Sequence, residues 1–138
     1  MAIYAATDYY ISVNGVILSA WCKTVELPHK AAALDSTTFG TNGTKTNVSG
    51  LKEWSLTIAG NQDYASGGPD ATLNALVGGA AVTIIVRSTS SADSATNPSY
   101  TGSAICTDYN PMAGSIGEIA QFSATFACAS ALSRDVTP

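Results

Sequence analysis

The fold of this chain is decided most clearly by the stretch EIAQFSATFAC, residues 118–128. Side chains of a β-strand point alternately to opposite faces, so every second residue shares a face. From Ala120 onward one face of this stretch is apolar: Ala120, Phe122, Ala124, Phe126 and Cys128. The other face is largely polar: Ile119, Gln121, Ser123 and Thr125. The stretch therefore predicts a strand with one face against a core and the other toward water.

The same alternation recurs upstream. In residues 51–59 one face carries Trp54, Leu56 and Ile58. Residues 9–13 and 16–18 flank Asn14-Gly15, a pair that accepts positive φ angles and so predicts a tight hairpin. The remaining predicted strands are residues 21–27, 34–39, 82–87 and 100–109.

One short helix is predicted to begin at Pro69, because proline suits the first helical position and Asp70 suits the positive N-terminal end. Its apolar side chains recur at helical spacing: Leu73, Leu76 and Val77. Gly78-Gly79 predicts its end. Since about ten residues are marginal as an isolated helix, we expect the apolar stripe to pack on a sheet.

The connections differ in length and composition. Residues 40–50, GTNGTKTNVSG, predict a long exposed loop or a flexible hairpin tip. Residues 88–99, STSSADSATNPS, predict a mobile loop. Residues 110–114 predict a turn, and residues 130–138 predict a tail.

Together these segments predict an all-β-dominated fold, a β-sandwich or barrel-like arrangement of antiparallel sheets with one short packed helix. Strands do not alternate with helices, as a parallel sheet would require. The 138 residues fit a single domain, with an extended loop at about residues 40–50 and short terminal arms.

The composition points to assembly. Charged residues make up 12% of the chain, about half of the usual ~25%, so small neutral residues must coat its surface. Such a coat lets subunits pack without burying ions, although a monomer rich in small residues would have the same composition. The net charge of −4, with basic residues well separated in sequence, disfavours a site that grips nucleic acid or an anionic membrane.

Cysteine usage and the N-terminal pattern suggest the compartment. An odd number of cysteines in unpatterned positions (Cys22, Cys106 and Cys128) argues against a disulfide framework and for folding in a reducing compartment. Residues 1–8 lack the basic start and apolar core of a signal peptide, and no apolar run approaches the ~20 residues of a membrane span. We therefore expect cytoplasmic synthesis and no membrane anchor.

Catalytic patterns are missing. His29 is the only histidine and follows Pro28 in a turn-like stretch. The histidine and cysteine spacings typical of metal sites are absent. The acidic residues stand singly in sequence, although folding could still bring a carboxylate pair together. We expect no enzymatic activity, no metal site and no cofactor.

An alternative hypothesis is a β-sandwich module that binds a carbohydrate or a protein partner. Exposed aromatic rings would stack on sugar rings. The candidate platforms are Trp21, Trp54, Tyr64, Tyr100 and Tyr109. Trp54 shares a face with Leu56 and Ile58, so a core position fits it better.

Two segments resemble major tail tube proteins of long-tailed bacteriophages. The first is LDSTTFG, residues 34–40, followed by a polar loop and by GLKEWSLTIAG, residues 50–60. Family members often carry D-x-T-T-F-G, a polar loop and then G-L-x-x-W/A-S-L-x-x-x-G. The second is YNPMAGSIGEIAQFSATF, residues 109–126, which looks like the family's closing turn and strand. The hairpin at residues 7–18 also lies where family members open.

The resemblance implies a β-sandwich that forms rings, commonly of six, stacked into a hollow tail tube through which DNA is delivered to the host. The implied partners are further copies and other tail proteins, and DNA would pass the lumen without specific binding. The implied location is the virion tail, after synthesis in the bacterial cytoplasm. The loop that bridges to the next ring corresponds to Thr41, Asn42, Gly43, Thr44, Lys45, Thr46 and Asn47. The lumen-facing candidates are Gln121, Ser123 and Thr125.

Overall fold

The computed structural model describes residues 8–137. Its strands are β1 (Tyr10–Val13), β2 (Val16–Ile17), β3 (Cys22–Glu26), β4 (His29–Asp35), β5 (Asn47–Asn61), β6 (Val82–Arg87), β7 (Ser99–Ala113), β8 (Gln121–Cys128) and β9 (Ser133–Asp135). A 3₁₀ turn spans Phe39–Thr41, and helix α1 (Pro69–Leu73) continues into a second 3₁₀ turn, Asn74–Leu76. The predicted N-terminal arm falls mostly on residues 1–7, which lie outside the described residues.

The strands form one antiparallel sheet in the order β2-β1-β6-β7-β8-β5-β3. Strand β4 pairs with the first half of β5, and β9 pairs with the start of β7. The sheet curls around a single core, so that β1 and β3 line opposite sides of one cleft. The predicted all-β fold with one short helix is confirmed.

The core is built by the predicted alternation. Phe122, Ala124 and Phe126 of β8 are buried, as are Trp54, Leu56 and Ile58 of β5. Neighbouring strands meet in register, with Leu56 opposite Phe126 and Ile58 opposite Ala124. The indole Nε1 of Trp54 donates a hydrogen bond of 2.7 Å to the carbonyl of Ser130. A buried tryptophan therefore leaves no unpaired donor.

The helix packs as predicted. Pro69 occupies its first turn, and Leu73 and Leu76 are buried against the sheet. Val77 is about half exposed and ends the stripe. Gly78 follows with φ of +73°, a conformation that glycine adopts without strain.

The predicted strand at residues 34–39 is wrong in its bounds. Strand β4 is His29–Asp35, and Phe39 lies in a 3₁₀ turn. His29 therefore begins a strand and does not lie in a turn. The run of alanines at residues 31–33 carries no alternation, because this strand buries neither face.

The predicted turn at residues 110–114 is also wrong. Strand β7 continues to Ala113, and its pairing with β8 is irregular between Asn110 and Ala113. Pro111 lies inside this irregular section, where its missing N–H costs no ladder hydrogen bond. The change of direction comes later, between Gly114 and Ala120.

Two further segments are more ordered than predicted. Residues 133–135 of the predicted tail form β9, opposite Ser99–Thr101. In the predicted mobile loop, buried Asn97 accepts hydrogen bonds from Ser88 Oγ (3.0 Å) and from the Thr89 backbone N (3.2 Å). Asn97 also donates to the carbonyls of residues 91 and 92, which closes the loop on itself.

Candidate assembly surfaces

The seam between β1 and β3 leaves a sheet edge open. On the β1 side, the backbone N of Ile11 donates to Ser19 Oγ (2.9 Å), and its carbonyl accepts from the Leu18 N–H (2.9 Å). On the β3 side, the only strand that pairs with β3 in the described part of the chain is β5. The outer edge of β3 therefore presents backbone donors and acceptors, which can pair with a strand of another chain.

The sheet face opposite the core, here named the outer face, is coated by small neutral side chains. Gln121 is exposed and Ser123 and Thr125 are partly exposed, as the alternation predicts. Two transverse rows run across β3, β5, β8 and β7: Thr24, Ala59, Ser123 and Asn110 in one, and Glu26, Thr57, Thr125 and Asp108 in the other. Neither row contains a lysine or arginine, so the charged side chains of these rows are two acids.

A two-stranded ribbon projects beyond this sheet. We call residues 29–53 the arm; it consists of β4, the first half of β5 and the connection between them. Every residue of β4 is exposed. In β5 the pattern is exposed up to Glu53, apart from partly buried Gly50, and alternates from Trp54 onward. The arm therefore has no covering layer on either face.

One face of the arm is apolar. Leu34 and Val48 are paired across the two strands, and each is 53% exposed. Gly50 lies beneath Ala32 and Leu34, since a Cβ placed on it would come within 3.2 Å of both side chains. Leu51, beside Gly50, is 88% exposed. An isolated two-stranded hairpin is marginally stable in water, so a packed partner would stabilise this one.

The end of the arm, residues 36–46, is named the tip and is closely hydrogen-bonded. The Ser36 N–H donates to the Thr46 carbonyl (3.0 Å), and the Thr46 N–H donates to Thr37 Oγ1 (2.8 Å). Asn42 and Gly43 both adopt positive φ, at 55° and 83°. The segment expected to be a long exposed loop or a flexible hairpin tip is thus an exposed, hydrogen-bonded turn, and of the proposed bridging residues Thr41–Asn47 only Asn47 lies in a strand.

The tip presents a phenyl ring and a positive charge together. The Phe39 side chain is fully exposed. Phe39 and Lys45 line the same shallow concavity, together with Thr37, Thr38, Thr41 and Gly43. A ring held outside the core by an ordered turn is the form that a binding anchor takes.

A second apolar surface lies between β7 and β8. We call residues 112–120 the corner. Its exposed apolar side chains are Met112, Ile116 and Ile119, of which Ile116 is fully exposed. Met112, Ile116 and Glu118 line one concavity with Tyr64 at its side. The corner therefore combines apolar side chains with a negative charge.

Hydrogen bonds hold the base of the corner against helix α1. The Pro111 carbonyl accepts from Gln62 Nε2 (2.7 Å) and from the Tyr64 hydroxyl (2.9 Å). The Tyr109 hydroxyl donates to the Asp70 carboxylate (2.9 Å). Burial, reinforced by the neighbouring Asp70, raises the pKa of Tyr109 to about 12. Tyr109 therefore stays protonated and able to donate at neutral pH.

The tip and the corner lie toward opposite ends of the sheet. Strand β5 begins in the arm, at Asn47, and ends at Asn61. Asn61 pairs with Gln121, the first residue of β8 after the corner. Following β5 along its 15 residues therefore leads from the arm to the corner.

The arm and the rest of the chain carry net charges of opposite sign. The arm contains Lys30, Lys45 and Lys52 against Asp35 and Glu53, a net charge of +1. Since the whole chain carries −4, the rest of the chain carries −5. Half of the six basic residues thus lie in the arm, and the remainder of the molecule is acidic.

Catalytic groups are not gathered at either surface. His29 is exposed at the base of the arm. Burial raises the pKa of the Cys22 thiol to about 12 and also raises that of Cys106, so neither thiol is a thiolate at neutral pH. Within residues 8–137, His, Cys, Asp and Glu side chains form no group of three or more that could hold a metal ion. None of the helices described is long and apolar enough to cross a membrane.

The sequence patterns did not identify Phe39, Met112 or Ile116 as surface residues. The strand predicted at residues 34–39 includes Phe39 and the turn predicted at residues 110–114 includes Met112, and neither prediction singles out these side chains. Each lies among Ser, Thr, Gly or Pro residues, without the periodic apolar neighbours that a core strand has. That isolation is the signal that could have marked them as exposed.

Known structures share this fold. No protein-family model and no curated protein matches the chain. A protein of the virion of a native gene transfer agent particle is 18% identical with a TM-score of 0.76, over 96% of this chain and 98% of that one. A protein of the sheath/tube terminator of an extracellular contractile injection system is 12% identical with a TM-score of 0.72, over 96% of each chain.

A third structure is the SPP1 tail tube. It is 10% identical with a TM-score of 0.71, over 94% of this chain and 76% of that chain. The tail of an empty gene transfer agent particle, refined with C6 symmetry, contains a further match with a TM-score of 0.76 over 99% of this chain. The chain thus has the fold found in these tail and tube assemblies, as the sequence resemblance implied.

Proposed function

We propose that this chain is a structural virion protein, a subunit of stacked rings that form the hollow tail tube of a bacteriophage-like particle. The observation that carries the proposal is the uncovered arm: a ribbon with exposed apolar side chains, on a fold found in tail and tube assemblies. In a tube, every subunit has further copies of the chain next to it, and one of these copies covers the arm. Six copies form each ring, in line with the C6 symmetry of one similar structure.

Ring formation uses the open edge of β3. Joining it to a strand of the neighbouring copy satisfies its free backbone groups and removes the edge. In such a ring, the outer face of β5 and β8 lines the lumen, with Gln121, Ser123 and Thr125 toward its water. The arm, including residues 41–47, bridges to the adjacent ring.

The lumen lets DNA pass without binding it. The two rows across β3, β5, β8 and β7 place Glu26 and Asp108 but no lysine or arginine toward a phosphate. Six copies at −4 each carry a formal charge of −24. Salt confines the resulting repulsion to about 8 Å from the wall. The subunit is made in the bacterial cytoplasm, joins other tail proteins in the virion, and catalyses no reaction.

Electron microscopy of the purified, concentrated protein tests this function. We expect rings with six-fold symmetry and tubes whose length grows with protein concentration. A species that stays monomeric at every concentration and yields no particles would overturn the proposal.

The alternative, a module that binds a carbohydrate, has less support. Of its five candidate aromatic platforms only Tyr64 is exposed, whereas Trp54 is buried and Trp21, Tyr100 and Tyr109 are partly buried. A single ring gives little of the stacking area on which sugar binding depends. Specific binding of the monomer on a glycan array would favour the module over the tube.

A further inference from the structure

The tip of the arm and the corner are two exposed surfaces whose properties can be compared as possible sides of one contact between copies. The tip offers a fully exposed phenyl ring in a concavity that Lys45 also lines. The corner offers Met112 and Ile116 beside the Glu118 carboxylate, with Tyr64 at its side. The two surfaces are alike in being apolar and opposite in charge.

Their positions exclude a contact within one chain and suit a contact between chains. The tip and the corner lie toward opposite ends of the sheet, linked by the full length of β5. Copies that follow one another along the strand direction bring the tip of one copy toward the corner of the next. A contact between two different surfaces repeats along a stack when no rotation closes it into a ring, unlike a two-fold contact, which closes at a dimer.

We propose that the corner is the docking site for the tip of a second copy, with Phe39 against Met112 and Ile116, and Lys45 paired with Glu118. The tip-to-corner contact rests on the proposed function. It adds the surface that receives the tip and gives the stack of rings a direction. Every tube then exposes free tips at one end and free corners at the other, so its two ends bind different partners.

The corner is suited to this role because its base is rigid. The Pro111 carbonyl holds two side-chain hydrogen bonds, and Tyr109 is tied to helix α1 through Asp70. Pre-ordered surfaces lose less conformational entropy on binding. The tip is ordered by its own threonine hydrogen bonds, so both partners are prepared before contact.

Cysteine cross-linking in assembled particles tests the contact. Lys45→Cys and Ile116→Cys are combined in one chain, and mild oxidation is followed by electrophoresis without reductant. The proposal predicts a ladder of covalent oligomers, because each copy is linked to the next. Each single variant should show no more cross-linking than the unmodified chain, whose three cysteines set the background. A matched control combines Lys45→Cys with Thr96→Cys, an exposed site on the loop between β6 and β7.

Several results would overturn the contact. Dimers formed by either single variant alone would show a two-fold contact between like surfaces. A ladder of equal strength in the Thr96→Cys control would show that the corner is not selected. Tubes visible by microscopy without a ladder in the paired variant would remove this contact and leave the proposed function standing, whereas absence of any particle from the unmodified chain would remove both.

Charge exchange provides a second measurement that does not use cysteine. Lys45→Glu and Glu118→Lys should each reduce the number of tubes at least tenfold at low salt, and combining them in one chain should restore most of the loss. Both side chains are exposed, so the melting temperature should stay within a few degrees of the unmodified value. A combined variant no better than the single ones would contradict the pairing.

Discussion

The two halves of strand β5 contrast most sharply within this molecule. From Trp54 to Asn61 every second side chain is buried in the core, and the strand has a neighbour on both sides. From Asn47 to Glu53 the same strand pairs with β4 alone and buries neither face. At the boundary the strand paired on one side of β5 changes from β3 to β4, while the pairing with β8 on the other side stops together with the covering layer. The chain itself covers one face of residues 54–61, whereas residues 47–53 have no covering layer, and the proposed function assigns that layer to another copy.

The largest expected difference in stability, between the arm and the rest of the described chain (here named the body), comes from truncating a phenylalanine in each. Phe122 is 1% exposed in the core, so Phe122→Ala should lower the free energy of unfolding by about 3–5 kcal/mol. Phe39→Ala in the tip removes a ring already in water and should change it by less than about 0.5 kcal/mol. Urea denaturation of the two variants measures both values. Similar losses in the two variants would show that the tip is part of the core.

Adding a methyl group to a glycine should also have different effects on stability in the body, at Gly60, and in the arm, at Gly50. A Cβ on Gly60 would lie 2.7 Å from the Cys22 Cα and clash with the backbone of Trp21, so Gly60→Ala should destabilise the fold by about 1–3 kcal/mol. In the arm, the neighbours of Gly50 at 3.2 Å are the Ala32 Cβ and the Leu34 side chain, and a small shift of the uncovered β4 strand can relieve both contacts. Gly50→Ala should therefore cost less than about 1 kcal/mol by the same denaturation assay. A larger loss for Gly50→Ala would indicate that the arm is as tightly packed as the body.

The base of the corner should show a smaller, pH-dependent effect. The folded pKa of Tyr109, about 12, lies above its ordinary value of 10. Its contribution to stability is therefore fully present below pH 10 and is lost as pH rises from 10 toward 12. Tyr109→Phe should lose about 1 kcal/mol at neutral pH through the missing hydrogen bond to Asp70. The unmodified chain should then lose stability more steeply than Tyr109→Phe between pH 9.5 and pH 11.5, as measured by urea midpoints; parallel curves would contradict the role of Tyr109.

The smallest expected effect on folding comes from replacing the tip. Ser36 and Thr46 already face each other across a backbone hydrogen bond of 3.0 Å, so residues 37–45 can be replaced by Asn-Gly, a two-residue hairpin turn. The free energy of unfolding should change by less than about 0.5 kcal/mol, because shortening a surface loop has little thermodynamic cost. Tubes should be lost, as judged by microscopy. Tubes of normal length from this variant would contradict the role of residues 41–47 between rings.

Sequence patterns predicted the body of the molecule better than its arm. Alternation found the buried faces of Trp54, Leu56 and Ile58 and of Phe122, Ala124 and Phe126, because a one-sided core imposes that alternation on the residues. The Asn14-Gly15 hairpin was also correct, since positive φ restricts the residue types there. Strand β4 was misplaced because no core selects its side chains and its alanines carry no pattern.

The extension of β7 through Pro111 was missed for a different reason. A proline after Asn110 is typical of a turn, and only the irregular pairing with β8 shows that the strand tolerates it. Ser133–Asp135 has no apolar alternation either, since its exposed side chains leave pairing with β7 as its only constraint. The exposed side chains of the tip and the corner pack against no core, so local periodicity within the chain does not encode them.

Amide hydrogen exchange, compared between dilute subunits and assembled particles, tests the central claim most directly. If another copy covers them, the amides of the arm, residues 29–53, and of the corner, residues 112–120, should become protected on assembly. Strands β6 and β8 should already be protected in the dilute subunit and change little. Equal exchange in the arm before and after assembly would contradict the claim that another copy of the chain covers it.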